Sequence, residues 1–256
     1  MDDKTYQELK SNTEWQHSFH FLEWLAGKRV ILVGPANYLV GQNKGKEIDE
    51  YDVVVRMNLS CPVPEELKQD IGSRTDVLYH ILIRDRHLRL KPDVFKQHTE
   101  KEIKRWKRDG VKWVVLKNNL ATLKKGQADV EQFALSIKGI VNWTNVSGYQ
   151  YRKLSAQVRR GPNMGTIAIY HMLLSRLKEL AVVGCDFHQT PYYTGYGGMD
   201  EEQVKMGVGG PACWGLSNQT RRIHPINGQL DYLKTQLPDK RFKPDKTLRN
   251  IILGVK

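Results

Sequence analysis

No run of eighteen apolar residues occurs anywhere in this chain, so no segment offers itself as a membrane-spanning helix. The amino terminus, MDDKTYQELKSNTEWQHSFHF, is acidic and polar where a secretory leader would be basic and then apolar. Both absences point to a soluble, cytoplasmic protein. Cysteine is scarce: Cys61, Cys185 and Cys213 form an odd set without metal-ligand spacing, which fits reduced thiols better than a framework of bridges. Without a secretory route the sequons at Asn142, Asn145 and Asn218 are chance matches. Neither G-x-G-x-x-G nor G-x-x-x-x-G-K-[ST] occurs, so neither a dinucleotide fingerprint nor a P-loop can be claimed. Acidic residues are outnumbered, and the formal charge of +12 suits an anionic partner: nucleic acid, an acidic glycan or membrane face, or a phosphate-bearing molecule. Much of that excess lies in solvated stretches such as 101–107 and 240–256.

At 256 residues the chain suits one domain with a core large enough to need no disulfide or metal. Its organising stretch is 28–58. Residues 30–33 are an apolar, β-branched run of buried-strand length, followed by a loop carrying Gly34, Pro35, Asn37, Gly41 and Asn43. Residues 45–50 leave room for a turn or two of helix, and 52–56 return to strand before Asn58. Two parallel strands with a loop over their carboxyl ends form the place where open α/β sheets bind ligands. Further strands are expected at 77–83, 111–116 and 180–186, and helices at 99–108, opened by the Thr99/Glu102 capping box, and at 128–138. Residues 5–26 carry a partly helical apolar pattern suited to the sheet edge. Arg74 has the features of a loop tie more than of an anion contact. Residues 84–89 form a basic loop.

A second constellation is Gly161-Pro-Asn-Met-Gly-Thr166 leading into an apolar helix over 167–177. Asn163 is a good N-cap, and the backbone N–H groups of Met164, Gly165 and Thr166, with the helix dipole, face any nearby anion. The strand that follows ends in Gly184-Cys185-Asp186. Beyond it, 188–194 reads His-Gln-Thr-Pro-Tyr-Tyr-Thr, and 195–220 holds seven glycines with little apolar periodicity, which reads as a lid. Apolar residues at helical spacing after Pro225 put His224 at a helix amino terminus, where the dipole disfavours imidazolium and favours the neutral base.

Taken together, V-G-x-x-N at 33–37, I-D-x-x-D-V-V-x-R-M-N at 48–58, the Pro162-to-Gly165 helix start, Tyr192-Tyr193 and the H-x-x-x-x-Q at 224–229 resemble the large, small, aromatic and very small motifs of the animal-type sialyltransferases. They occur in family order. The match departs from the pattern at Asn163 and Met164, where the family has serine and threonine, at Asp186 for a glycine, at Pro191 for the aromatic motif's histidine, and at Gln229 for a glutamate. The family's usual disulfide has no cysteines here. The lack of an anchor points to a bacterial or viral relative or an excised soluble form.

The resemblance implies an α/β fold: a single Rossmann-like domain over 1–256, with a mostly parallel sheet, helices on both faces (a GT-A-like variant) and a mobile lid. It implies an inverting glycosyltransferase moving a sialic acid from a cytidine monophosphate (CMP) donor to the hydroxyl of a glycan or glycolipid acceptor. His224 is the expected general base. Gly34, Asn37, Asn58, Asn163, Met164, Gly165, Thr166, Gly184, His188, Tyr192 and Tyr193 are the expected donor contacts. No cofactor or metal is implied. Many sugar-nucleotide enzymes hold Mn²⁺ through Asp-x-Asp, and that triplet is absent. Three alternatives stay open: a ketodeoxyoctonic acid donor, a basic nucleic-acid-binding domain, and an inactive glycan-binding relative. The nucleic-acid reading is the weaker, because the aromatics are not interleaved with lysines.

Overall fold

The computed structural model describes residues 16–80, 103–117, 139–196 and 225–255. The organising element is a parallel sheet of seven strands: β1 (Arg29–Val33), β2 (Val53–Met57), β3 (Val77–His80), β4 (Trp113–Lys117), β5 (Asn142–Val146), β6 (Glu179–Val183) and β7 (Phe242–Pro244). They lie in the order β5-β4-β3-β2-β1-β6-β7. The order grows outward from β1 on one side to β5 and on the other to β7, so the direction of winding switches between β1 and β6. That switch is where the carboxyl ends of such a sheet open a crevice.

Alternation along the strands sorts side chains onto two faces. Val30, Leu32, Val53, Val55, Val77, Tyr79, Val115, Leu180 and Val182 join one core with helices α1 (Gln16–Trp24), α4 (Gly148–Gln157), α5 (Met164–Leu173), α6 (Ile226–Gln236) and α7 (Lys246–Leu253). Ile31, Val33, Val54 and Ala181 face the opposite layer, which holds Ile48 of α2 (Gly45–Asp49) and Ile71 of α3 (Lys68–Ile71). Leu78, Val114 and Leu116 extend that layer onto a helical segment at 103–108 through Ile103 and Trp106. The expected α/β sheet, with helices on both faces, is what folds.

Among the described helices α5 is the most deeply buried. Ile167, Ala168 and Met172 are fully enclosed, each large apolar side chain contributing about 1.5–3 kcal/mol. Its His171 is likewise a core residue: it lies stacked on Phe21, hydrogen-bonds the Tyr79 hydroxyl, and burial drives its pKa down to about 3. The helix is three to four residues shorter at its carboxyl end than the apolar run suggested, because Ser175 turns its hydroxyl onto the Met172 carbonyl. Arg74 is the loop tie that its sequence context suggested: it pairs with Asp76 at 2.8 Å and donates to the Asp49 and Tyr51 carbonyls.

The sequence reading passed over β5, α4, α7 and β7. The last runs Phe-Lys-Pro, and an edge position tolerates its proline. The capping box at 99–102, the basic loop 84–89, the helix at 128–138, residues 197–220 of the expected lid, and His224 lie outside the described residues. Among the described residues no helix is long and apolar enough to cross a membrane.

Candidate active site

Two loops meet at the β1/β6 switch. Gly34 and Gly184 leave their strands in backbone contact; a Cβ on Gly34 would sit 2.1 Å from the Gly184 carbonyl oxygen, so no larger residue fits there. Gly184 takes φ +71°. The Tyr38 hydroxyl accepts from the Gly184 N–H and donates to Asp245, fixing the junction. Past the junction, Ala36 pairs antiparallel with Tyr192, while the Asn37 and Tyr193 N–H groups bond the Pro191 and Pro35 carbonyls. The result is one wall of a cleft with about 1090 Å³ of atom-free space, open mouth included.

The other wall is the amino end of α5. The Asn163 side chain caps it by accepting from the Thr166 N–H at 2.8 Å, as expected of that residue. That bond consumes the Thr166 donor, while the N–H groups of Met164 and Gly165 precede any intrahelical acceptor. Gln229, fully buried on α6, clips this helix start to the next one. Its Oε1 accepts from the Asn163 N–H at 2.8 Å and from the Thr166 hydroxyl at 2.9 Å, and its Nε2 donates to the Pro225 carbonyl. Gly228 makes the approach possible, since a Cβ there would lie 2.2 Å from the Val158 carbonyl oxygen. The start of α6 at Pro225 is therefore held beside residues 163–166.

Of the expected contacts, Asn58, Asn163, Met164, Gly165, Thr166, Gly184, His188 and Tyr192 line this cleft together. Asn58 does so from the end of β2 in a left-handed conformation, φ 50°.

Residues 3–126, just under half of the chain, match glycosyltransferase family 29 (sialyltransferase). Over 54 residues the chain is 43% identical to the CMP-N-acetylneuraminate-beta-1,4-galactoside alpha-2,3-sialyltransferases of Homo sapiens and Pan troglodytes, a match covering 21% of this chain and 14% of those proteins. The sheet and its helices are similar to two Campylobacter jejuni sialyltransferases. One is the monofunctional alpha-2,3-sialyltransferase Cst-I (TM-score 0.55, 15% identity, 88% of this chain and 78% of that one). The other is CstII, solved with cytidine-5'-monophosphate (TM-score 0.53, 14% identity, 90% and 85%).

Over residues 3–126 the chain is similar to the sialyltransferases of family 29.

Three of the residues drawn from the sialyltransferase resemblance are not cleft-lining. Tyr193 is fully buried in the opposite layer against Tyr196, because the extended backbone that turns Tyr192 toward the cleft turns its neighbour away. Asn37 begins a short 3₁₀ turn with its side chain in solvent, since the Ala36–Tyr192 bridge puts Ala36 on the lining instead. Gly34 packs behind the lining, against Gly184 and Cys185.

His188 gains from the structure. Phe187 and His188 hold φ 55° and 65°, an expensive pair of left-handed residues. The Asp186 carboxylate over-determines them by accepting from the His188 N–H, the Thr190 N–H and the Thr190 hydroxyl. Asp186 thus braces the turn. The His188 ring tilts against Tyr192 at 5.6 Å, and its Nδ1 is buried without a hydrogen-bond partner among the described residues. Burial lowers its pKa, against a smaller opposing pull from Asp186, so the ring is neutral at pH 7.

The sequence reading missed Lys117, which also lines the cleft. It ends β4, is 6% exposed, and donates from Nζ to the Pro162 carbonyl at 2.9 Å. Desolvation brings its pKa down to about 8. The signal was a charged residue closing an apolar strand on the sheet's ligand-binding edge. Among the described residues no group of three or more His, Cys, Asp or Glu side chains could hold a metal ion.

Proposed function

We propose that this single domain, with 195–220 as its lid, transfers a sialic acid from a CMP donor to a glycan or glycolipid hydroxyl. Asn58 and the loops at the β1/β6 junction hold the cytidine part. The amino end of α5 faces the phosphate and the sugar's carboxylate, with Tyr192 and His188 at the phosphate's far side. His224, one peptide bond before Pro225, takes the proton from the acceptor hydroxyl as its oxygen attacks the anomeric carbon. The bond from that carbon to the phosphate oxygen breaks, the electron pair leaves with CMP, and configuration inverts. Developing charge on the phosphate is met by N–H donors and the helix dipole already in place. A monophosphate leaving group carries less charge than a diphosphate, so the scheme needs no metal, and chelators leave the rate unchanged.

One observation carries the reading: Gln229 hydrogen-bonds the start of α5 and the Pro225 carbonyl at once, which joins the donor-facing helix to the segment that bears the base. The test is a transfer assay with CMP-sialic acid and a galactoside acceptor. His224→Ala is expected to lower kcat by about 10²–10⁴-fold while CMP still binds. Full activity in that variant would remove the base assignment. Transfer from the CMP-linked ketodeoxyoctonic acid alone would change the donor and leave the mechanism standing.

A further inference from the structure

Lys117 is a buried cation at the cleft that nothing in the proposed mechanism requires. A lysine with its ammonium taken out of water costs several kcal/mol unless a charge or a full set of acceptors repays it. Here one acceptor is present, the Pro162 carbonyl, and the Tyr151 ring offers a long cation–π contact at 5.8 Å. An ammonium carries three N–H donors, and among the described residues no carboxylate pairs with it. The position narrows what the missing partner is. Pro162 is the residue just before the N-cap of α5, so Nζ sits beside the helix end whose Met164 and Gly165 N–H groups lack intrahelical acceptors. Lys117, Asn163, Met164 and Gly165 all line one cleft, and every donor among them favours negative charge.

We propose that Lys117 is an anion-binding residue of this cleft, its ammonium and the open end of α5 together receiving an oxyanion of a nucleotide-linked acidic sugar. The inference rests on the reading of the cleft as a donor site and adds to it a residue from β4 that the motifs do not include. Two oxyanions of such a donor share this chemistry, the phosphate and the sugar carboxylate. The pair of ligands used in the test separates them. Lysine suits the task because it is a point charge: one ammonium bridges a fixed carbonyl and a bound oxygen without the planar fit that arginine demands.

The experiment is calorimetric titration of cytidine, CMP and CMP-sialic acid into the full chain and into Lys117→Met, which keeps the length and apolar stem of the side chain. Lys117→Gln, with an amide donor toward Pro162, replaces it should the methionine variant not fold. If the ammonium meets the phosphate, CMP weakens roughly 10- to 100-fold and cytidine is unchanged. If it meets the carboxylate, CMP is unchanged and CMP-sialic acid weakens by that factor. Wild-type binding of CMP with no loss for either charged ligand in the variant overturns the role of Lys117 alone. Equal weakening of uncharged cytidine also overturns it, since the side chain then acts through the shape of the pocket. Absence of CMP binding to the wild type overturns the donor-site reading itself.

Discussion

Among the described residues two cations lie buried along one rim of the sheet, Arg56 near the end of β2 and Lys117 at the end of β4, and their surroundings satisfy them to different degrees. Arg56 is fully enclosed and donates to three fixed backbone carbonyls: Arg74 at 2.9 Å, Ile71 at 2.7 Å and Gly72 at 3.1 Å. Those carbonyls belong to the turn that connects α3 to β3, so the guanidinium holds a connection in place. Lys117 has one such acceptor and an open cleft. The difference teaches how to separate structure from function among buried charges: a cation tied to several backbone carbonyls inside a closed core is scaffold, and one with a single acceptor beside a cleft is poised for a ligand.

The largest effect is expected at Arg56. Arg56→Met strands three backbone carbonyls, at about 1–3 kcal/mol for each unsatisfied group, so denaturant unfolding should show a loss of at least about 3 kcal/mol. Lys117→Met removes a desolvated charge and strands one carbonyl. Its unfolding free energy should stay within about 1 kcal/mol of wild type. If both variants lose equally, the comparison breaks and Lys117 is scaffold as well.

The smallest effect is in pH. Burial lowers the Lys117 pKa to about 8, while the unfolded chain keeps the ordinary lysine value. From about pH 8 up to that value the unfolded state holds more protons, so ligand-free wild type gains stability relative to Lys117→Met as pH rises. CMP affinity should fall over the same window as the ammonium is lost. The other titratable groups lining the cleft are Cys185, Asp186, His188, Tyr192 and Tyr196. His188 is already neutral, and burial pushes Tyr192 and Cys185 upward, so subtracting the variant's profile isolates the lysine. A flat difference profile would mean that the ammonium is not lost in this range.

The central strands were legible because β1, β2 and β3 are buried on both faces and so read as apolar β-branched runs. β5, Asn-Trp-Thr-Asn-Val, was not: an edge strand needs few apolar residues, and only Thr144 and Val146 are buried. Helix α7 passed for a basic tail because its charges cover one face while Leu248 and Ile252 reach the core from the other. At the site, the Asn163 cap was readable because a cap is a local interaction. Which of Tyr192 and Tyr193 faces the cleft was not, since that depends on a bridge to Ala36, far away in sequence. Lys117 was hidden for the same reason: its burial comes from Pro162 and Tyr151, which the fold alone brings to it.

The central claim is that the helix start at 163–166, the turn at 184–188 and the segment around Pro225 act on one ligand. Hydrogen exchange with and without CMP measures this directly. The account predicts added protection in all three stretches at once, absent with adenosine monophosphate. Protection confined to one of them, or equal protection by both nucleotides, would contradict it.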